Sequence, residues 1–451
     1  QLVGMETADF ASLNTASIAA LLTSQVVALT TAEIIALRTD QAASLVTQQA
    51  FALGTSQLVA METRDFAAIS TDSVATLQTA QVLGLTTAQI IALRSDQAQA
   101  LTTRQVFALS TAQLVAMETQ DFAALSTNSV AALQTAQIAA LVTMQVQSLT
   151  TAQATGLTTK QIAAIVTSAI TALASDALSS LSSEQIVALR TDQAQALTTV
   201  QAVALTTAQL AAMESRDFAA LSTNSIAALL TSQVLNLSTD ALVALRTDQV
   251  LALTTQQIVA LTSDQIASLE TQDIAAISTR SVAALKTAQL VAITTAQAQA
   301  LVTQQAIALG TAQLVALETQ DFASLSTNSA AALLTSQIAA LTTDELVALR
   351  TDQALALTTQ QIVALATAQL AALETDDFAA ISTRSVAALG TAQVFAITTA
   401  QAQALTTQQA VALGTSQIAA LETPQDAVAL STSSIAALLT SQVVAITTTQ
   451  A

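Results

Sequence analysis

The chain has 451 residues, a formal net charge of −18, and 52% apolar residues of which almost none are aromatic. It contains no Cys, His, Trp or Tyr, so disulfide frameworks, thiolate metal sites and histidine acid–base chemistry are excluded. An acidic chain repels nucleic acid and anionic membranes, and no apolar run approaches the length of a membrane span, which sets aside both as partners.

From Met5 to Ala420 the sequence runs in units of eight, about fifty in all. One unit reads Leu85-Thr86-Thr87-Ala88-Gln89-Ile90-Ile91-Ala92, and the next begins at Leu93. Self-similarity at a short fixed period marks an array that stacks units on their neighbours. With Leu85 as position 1, that position is Leu, Ile or Met, position 3 is Thr or Ser, and position 5 is mostly Gln. Position 6 is apolar and position 8 small, while charged residues fall only at positions 2, 4 and 5. The pattern predicts a dry side of positions 6, 7, 8, 1 and 3 and a wet side of 2, 4 and 5. The expected core includes Leu77, Leu85, Ile90 and Leu93.

A continuous α-helix cannot have this period, because its apolar stripe would drift by roughly 80° per unit. The sequence predicts an all-α superhelical solenoid with one short helix per octad. Thr or Ser is a good N-cap, and Gln three residues after Thr86 fits a capping box. Position 2 or position 3 can serve as the cap. The invariance of position 3 favours Thr63, Thr71, Thr79, Thr87, Ser95 and Thr103. A β-solenoid is the alternative, since Leu, Thr and Gln at 1, 3 and 5 alternate with period two. It would need turn residues in every unit, yet Gly totals 7. Ala, Leu and Gln also favour helix over strand.

The chain reads as a single array over 1–451 that starts and stops mid-unit, as a slice of a longer array or as ends that dock head to tail would. Two faults stand out: a degenerate stretch at 165–180 and an extra residue with the only Pro, Pro424, at 421–429. Both are expected to be loops or kinks. A second layer of repetition is carried by marker octads with Asp at position 5, beginning at Met5, Met61, Met117, Met213, Leu269, Leu317 and Leu373. If three and a half octads complete a turn, the usual seven-octad interval is two turns. Duplication of a block without geometric meaning explains the same interval.

Catalysis needs unlike groups gathered in one place, and this chain offers the same groups everywhere, so no catalytic or cofactor-binding residue is assigned and no enzyme is expected. Glu62 and Asp65 put two carboxylates in one unit, where they would hold Ca²⁺ weakly or simply cap and solvate a helix. Phe66, Phe122 and their counterparts at position 6 of the markers are expected in the core; a binding groove is the sharper alternative. Arg38–Asp40 and Arg94–Asp96 are candidates for ion pairs between neighbouring units.

Leu85, Thr86, Gln89, Ile90, Ala92 and Leu93 resemble the first helix of repeats in transcription-activator-like DNA-binding effectors. The likeness covers nine residues, lacks the base-reading loop, and implies a helix start. The Thr/Ala/Leu/Gln octads as a whole resemble those of very large secreted bacterial repeat proteins, adhesin-like or surface-filament proteins. That resemblance implies a structural role outside the cell or on its surface, and ends that dock head to tail would add self-association into a homopolymer. The expected function is therefore a building block of a filament, sheath, matrix fibre or adhesin stalk. Two rivals remain: a β-solenoid whose Thr ladder meets ice, mineral or glycan, and an α-solenoid scaffold that binds proteins.

Overall fold

The computed structural model describes residues 5–421 and 430–446. Among these residues there are 54 helices and no strand. The β-solenoid is thereby overturned, and the fold is an all-α solenoid of one short helix per octad. The chain falls into two compact units, Gln1–Leu229 and Leu230–Ala451, and the account below applies within each.

The octad starting at Leu205 displays the local logic. Its helix, Thr207–Ala212, is preceded by Thr206 in extended conformation (φ −71°, ψ 159°). The Thr206 side chain accepts from the Gln209 backbone N–H at 3.2 Å, and the Thr206 N–H donates to Gln209 Oε1 at 2.8 Å. That is a reciprocal capping box. The same register holds throughout, so the N-cap is position 2. Thr63, Thr71, Thr79, Thr87, Ser95 and Thr103 are the first helical residues, not the caps; the caps are Glu62, Ser70, Gln78, Thr86, Arg94 and Thr102. Invariance of position 3 pointed one residue too far, because a β-branched N1 residue is equally uniform.

Helices stop after four to six residues without a left-handed residue: no described residue has positive φ. The residue at position 1, such as Met213 (φ −58°, ψ 139°), turns into extended backbone and drives its side chain inward. Leu77, Leu85 and Leu93 at position 1, and Ile90 at position 6, are buried.

Each helix packs against the helix three octads on, and hydrogen bonds reach the one four octads back. The bond from Gln209 Nε2 to the Leu181 carbonyl at 2.8 Å spans 28 residues, three and a half octads. A second bond, 3.0 Å to the Leu178 carbonyl, spans 31. The repeating Gln thus does two things at once. Its carbonyl oxygen satisfies an orphan N–H at the start of its own helix. Its amide satisfies orphan C=O groups at the end of a helix one turn away. The position was expected on the wet side, yet Gln209 is 3% exposed. Position 7, expected dry, faces outward instead: Val27, Ile91 and Leu83 are exposed, and so is the Thr at position 3. A helix of 3.6 residues per turn cannot bury 5, 6, 7 and 8 together, and the carboxamide's bonds decide that 5 goes in.

The stretch 165–180 is not a loop. It contains helices Thr167–Ile170 and Ser175–Ser180, with Ala169 and Ala177 buried where Gln is usual. Of the second expected fault, residues 422–429 lie outside the described residues; Leu421 closes helix Thr415–Ala420.

Gln209→Ala would remove the partner of the Thr206 N–H and of the Leu181 carbonyl, and the further bonds to the Leu178 and Ser179 carbonyls. A loss of about 2–5 kcal/mol is expected, since each buried unsatisfied group costs about 1–3 kcal/mol. Gln48→Ala, at an exposed position 4, should change stability by less than about 0.5 kcal/mol. Urea unfolding and hydrogen exchange at Thr206 would measure both.

Candidate functional site: the marker octads and an outward apolar groove

In marker octads position 5 is Asp, one methylene shorter than the usual Gln and followed at position 6 by Phe, or by Ile274 in the Leu269 marker. Phe66 and Phe122 are completely buried, so the marker phenylalanines line no groove. Asp65 is buried too, and the Thr39 hydroxyl donates to its Oδ1 at 2.6 Å across 26 residues. Ser95 donates likewise to Asp121 at 2.7 Å, and Thr295 to Asp321 at 2.7 Å. The second oxygens of Asp65, Asp121, Asp273 and Asp377 are buried without a partner. Burial pushes the carboxyls of Asp121, Asp273 and Asp377 above the ordinary value, against the lowering effect of the hydroxyl bonds. Glu118 and Asp96 add to the rise at Asp121.

The Arg-bearing octads stand three octads before markers: Arg38, Arg94, Arg190 and Arg350 precede Asp65, Asp121, Asp217 and Asp377. Three octads is the stacking step, so the second layer of repetition has a geometric counterpart. These arginines pair inside their own octad, Arg38 Nε to Asp40 Oδ1 at 3.0 Å and Arg94 Nε to Asp96 Oδ1 at 3.0 Å. The Arg38 bond holds the Asp40 carboxyl below its ordinary value, and Arg94 does the same for Asp96. Their reach across the turn is to backbone: Arg38 to the Ala11 carbonyl, Arg94 to Ala67 and Arg350 to Ala323. The expected ion pairs between units are therefore replaced by guanidinium–carbonyl bonds. As exposed pairs, Arg38–Asp40 and Arg94–Asp96 contribute little by themselves.

Glu62 pairs with Arg64 at 3.0 Å, and Arg64 also lies 3.6 Å from Asp65. No group of three or more acidic, His or Cys residues that could hold a metal occurs among the described residues. The two carboxylates flank a guanidinium, an arrangement that offers a cation little.

The first unit also carries a surface feature that the sequence reading passed over. Val27, Phe51, Leu83 and Phe107, all at position 7, are 58%, 51%, 56% and 51% exposed. A cavity of about 1060 Å³ is lined by Val27, Thr47, Phe51, Thr76, Gln78 and Ala80, among others. A neighbouring one of about 720 Å³ is lined by Ala80, Leu83, Arg104, Phe107, Leu109 and Gln134, among others. They meet at Ala80. The signal in the sequence is the pair Phe51 and Phe107, at the same octad position and seven octads apart.

The six residues Ala204-Leu205-Thr206-Thr207-Ala208-Gln209 span the joint just described: helix end, buried extended Leu, cap, first helical residue and ladder Gln. A family model described as the ALTTAQ repeat matches residues 2–39, 58–103, 74–111, 90–127, 114–151 and 130–167. It matches again at 210–247, 234–271, 266–303, 314–351 and 370–407, which brings the total to well over half of the chain. The chain belongs to the ALTTAQ repeat family. No curated protein matches it. The signature of the ALTTAQ repeat is thus the interhelical joint, since it spells out the residues that end one helix, start the next and tie it to the turn before.

Glu345 is an exception to the ladder that can be tested. Its Oε2 accepts from the Thr342 N–H at 2.6 Å, as a Gln would, while its buried Oε1 has no partner. Burial raises its carboxyl above the ordinary value. The folded state therefore holds this proton more tightly than the unfolded chain. Its contribution is fully present below the unfolded value and is lost as pH rises through the folded value. Glu345→Gln, which places a donor where the ladder uses one, should stabilise the second unit at pH 7 by about 1–3 kcal/mol. The gain should shrink toward pH 4 in urea titrations at both pH values. Phe66→Ala should cost about 3–5 kcal/mol, whereas Phe107→Ala should change stability little, as thermal unfolding of the two variants would show.

Proposed function

We propose that this ALTTAQ repeat chain is a structural protein, a stacked-repeat building block of an extracellular or cell-surface filament, sheath, matrix fibre or adhesin stalk. The observation that carries the reading is the use of the recurring polar side chain. The buried Gln of each regular octad is spent on joining turns, as Gln209 is on Thr206, Leu178 and Leu181. Groups that would otherwise build a catalytic or cofactor site are committed to architecture, so the reading assigns neither an enzyme activity nor a cofactor. Among the described residues no helix is long and apolar enough to cross a membrane, and the acidic surface favours neither nucleic acid nor anionic lipid.

Self-association belongs to this reading. Stacked repeats grow in one dimension, and a heterologous contact between copies extends that growth into a filament. The scaffold alternative keeps one observation in its favour, the groove beside Phe51 and Phe107, although the marker phenylalanines expected to line such a groove are buried. Negative-stain microscopy of concentrated protein should show elongated assemblies with a regular axial spacing. Compact monomers alone, at every concentration tried, would sink the reading.

A further inference from the structure

We infer that the marker aspartates Asp121, Asp273 and Asp377 are proton-operated joints. Each ties its turn to the one before when its stranded oxygen carries a proton and donates it to a backbone carbonyl, and loosens that tie when it ionises. The inference gives the second layer of repetition a physical role and is independent of what the array builds.

The register of the ladder carries it. Gln at position 5 hands a donor to the position-1 carbonyl one turn earlier, as Gln105 Nε2 does to Leu77 at 2.8 Å and Gln113 Nε2 to Leu85 at 2.8 Å. The hydroxyls of Ser129 and Ser225, also at position 5, do the same over a longer gap, to the Leu101 and Leu197 carbonyls at 3.4 Å each. At the same register, 28 residues before the three aspartates, stand the carbonyls of Leu93, Leu245 and Leu349. An ionised carboxylate only accepts, so it sets oxygen against oxygen there, whereas a protonated one gains a single O–H donor. One oxygen is already engaged: Oδ1 of Asp121 takes the Ser95 hydroxyl at 2.7 Å, and Oδ1 of Asp273 the Thr247 hydroxyl at 3.1 Å. Oδ2 of all three is buried without a partner, a state that costs free energy until a bond is made.

The surroundings favour the proton. Glu118 caps the helix of Asp121, Glu270 that of Asp273, and Glu374 that of Asp377, which also carries Asp376. The helices packed against them from three octads before add Asp96, Asp248 and Asp352, and those from three octads after carry no titratable group. Four octads before, Asp240 lies on the helix behind Asp273, and Asp344 and Glu345 lie on the one behind Asp377. The cations of these octads, Arg94, Arg246 and Arg350, are each engaged by the aspartate two residues on. Burial holds the three marker carboxyls above their ordinary value, and the neighbouring carboxylates add to the rise. Asp65 and Asp217 differ, because Arg64 and Arg216 at position 4 lie 3.6 Å and 3.4 Å from their Oδ1 atoms.

The folded value thus lies above the unfolded one, which is about 3.9 for Asp. The tie is fully present below the unfolded value and is lost as pH rises through the folded one. Acid tightens these marker turns, and neutral medium loosens them.

The test uses the full chain. Asp121→Asn/Asp273→Asn/Asp377→Asn puts a carboxamide of the same size, a donor at every pH, in each joint. Asp72→Asn/Asp176→Asn/Asp264→Asn, all at exposed position 4, removes the same charge elsewhere. Hydrogen exchange of helices Thr119–Ala124, Thr271–Ala276 and Thr375–Ala380 is read as protection relative to the unfolded chain. At pH 7 the marker variant should be protected about tenfold more than the wild type, as one buried group regaining its bond would give. The gain should shrink toward pH 4, and the control should match the wild type. Carbon-13 spectra of the wild-type Asp carboxyls supply a second readout, assigned by the single Asn variants, which decides alone if the triple variant does not fold. The three marker carboxyls should remain protonated at a pH where an ordinary aspartate has ionised. Protection that is equal in marker variant and wild type at pH 7, a gain shared by the control, or marker carboxyls that ionise at the ordinary value would each overturn the joints.

Discussion

The fold depends on one carboxamide per octad. A six-residue helix leaves most of its backbone groups without intrahelical partners, and such a helix does not persist in isolation. In this chain the deficit is met by a group that both accepts and donates. Gln257 and Gln265 take the backbone N–H of Thr254 and Thr262, respectively, through their side-chain oxygens. The amide end of Gln265 meanwhile donates to the Leu237 carbonyl at 2.8 Å, one turn earlier. Carboxylates and hydroxyls supply only part of this. Where Asp replaces Gln, the bond comes from a Thr or Ser hydroxyl instead, and one carboxylate oxygen is stranded.

That single constraint orders the rest. Position 5 must be inside, so position 1 and position 6 flank it there, and position 7 is left facing water. The caps at position 2 can vary, because the Gln oxygen serves the N–H whatever the side chain: the N–H of Leu22 donates to Gln25 Oε1 at 2.8 Å, and that of Arg94 to Gln97 Oε1 at 2.9 Å. Composition follows as well. With the polar work done by Gln and the turns made by extended Leu, the chain has little use for glycine or for large aromatic residues, save at the markers and at the exposed Phe51, Phe107 and Phe395. At the markers a shorter side chain at position 5 is accompanied by Phe next to it, or by Ile274 in the Leu269 marker.

Much of this was legible in the residues. The helix-per-octad architecture and the buried Leu77, Leu85, Ile90 and Leu93 follow from period and propensity alone. The burial of Gln does not, because a polar residue in a charged position class reads as solvated until its partners across the turn are known. Those partners lie 28–31 residues away and have no local signature. The same gap hid the cap: Thr206 and Thr207 are chemically alike, and only the bond between Thr206 and Gln209 separates them. The outward apolar groove was hidden because position 7 was expected in the interior with positions 6 and 8. Its members are close only after winding.

Partners that never lie more than about four octads apart in sequence have a consequence for heredity. Unequal exchange that adds or drops a seven-octad block leaves the Arg38-type octads above the same carbonyls, so lengths can drift between lineages without refolding anything. Exchange by a single octad also leaves the Gln joints intact, and a guanidinium then meets the same position-7 backbone carbonyl of a different octad. The marker intervals of six and twelve octads beside the usual seven fit an array that accommodates both kinds of step.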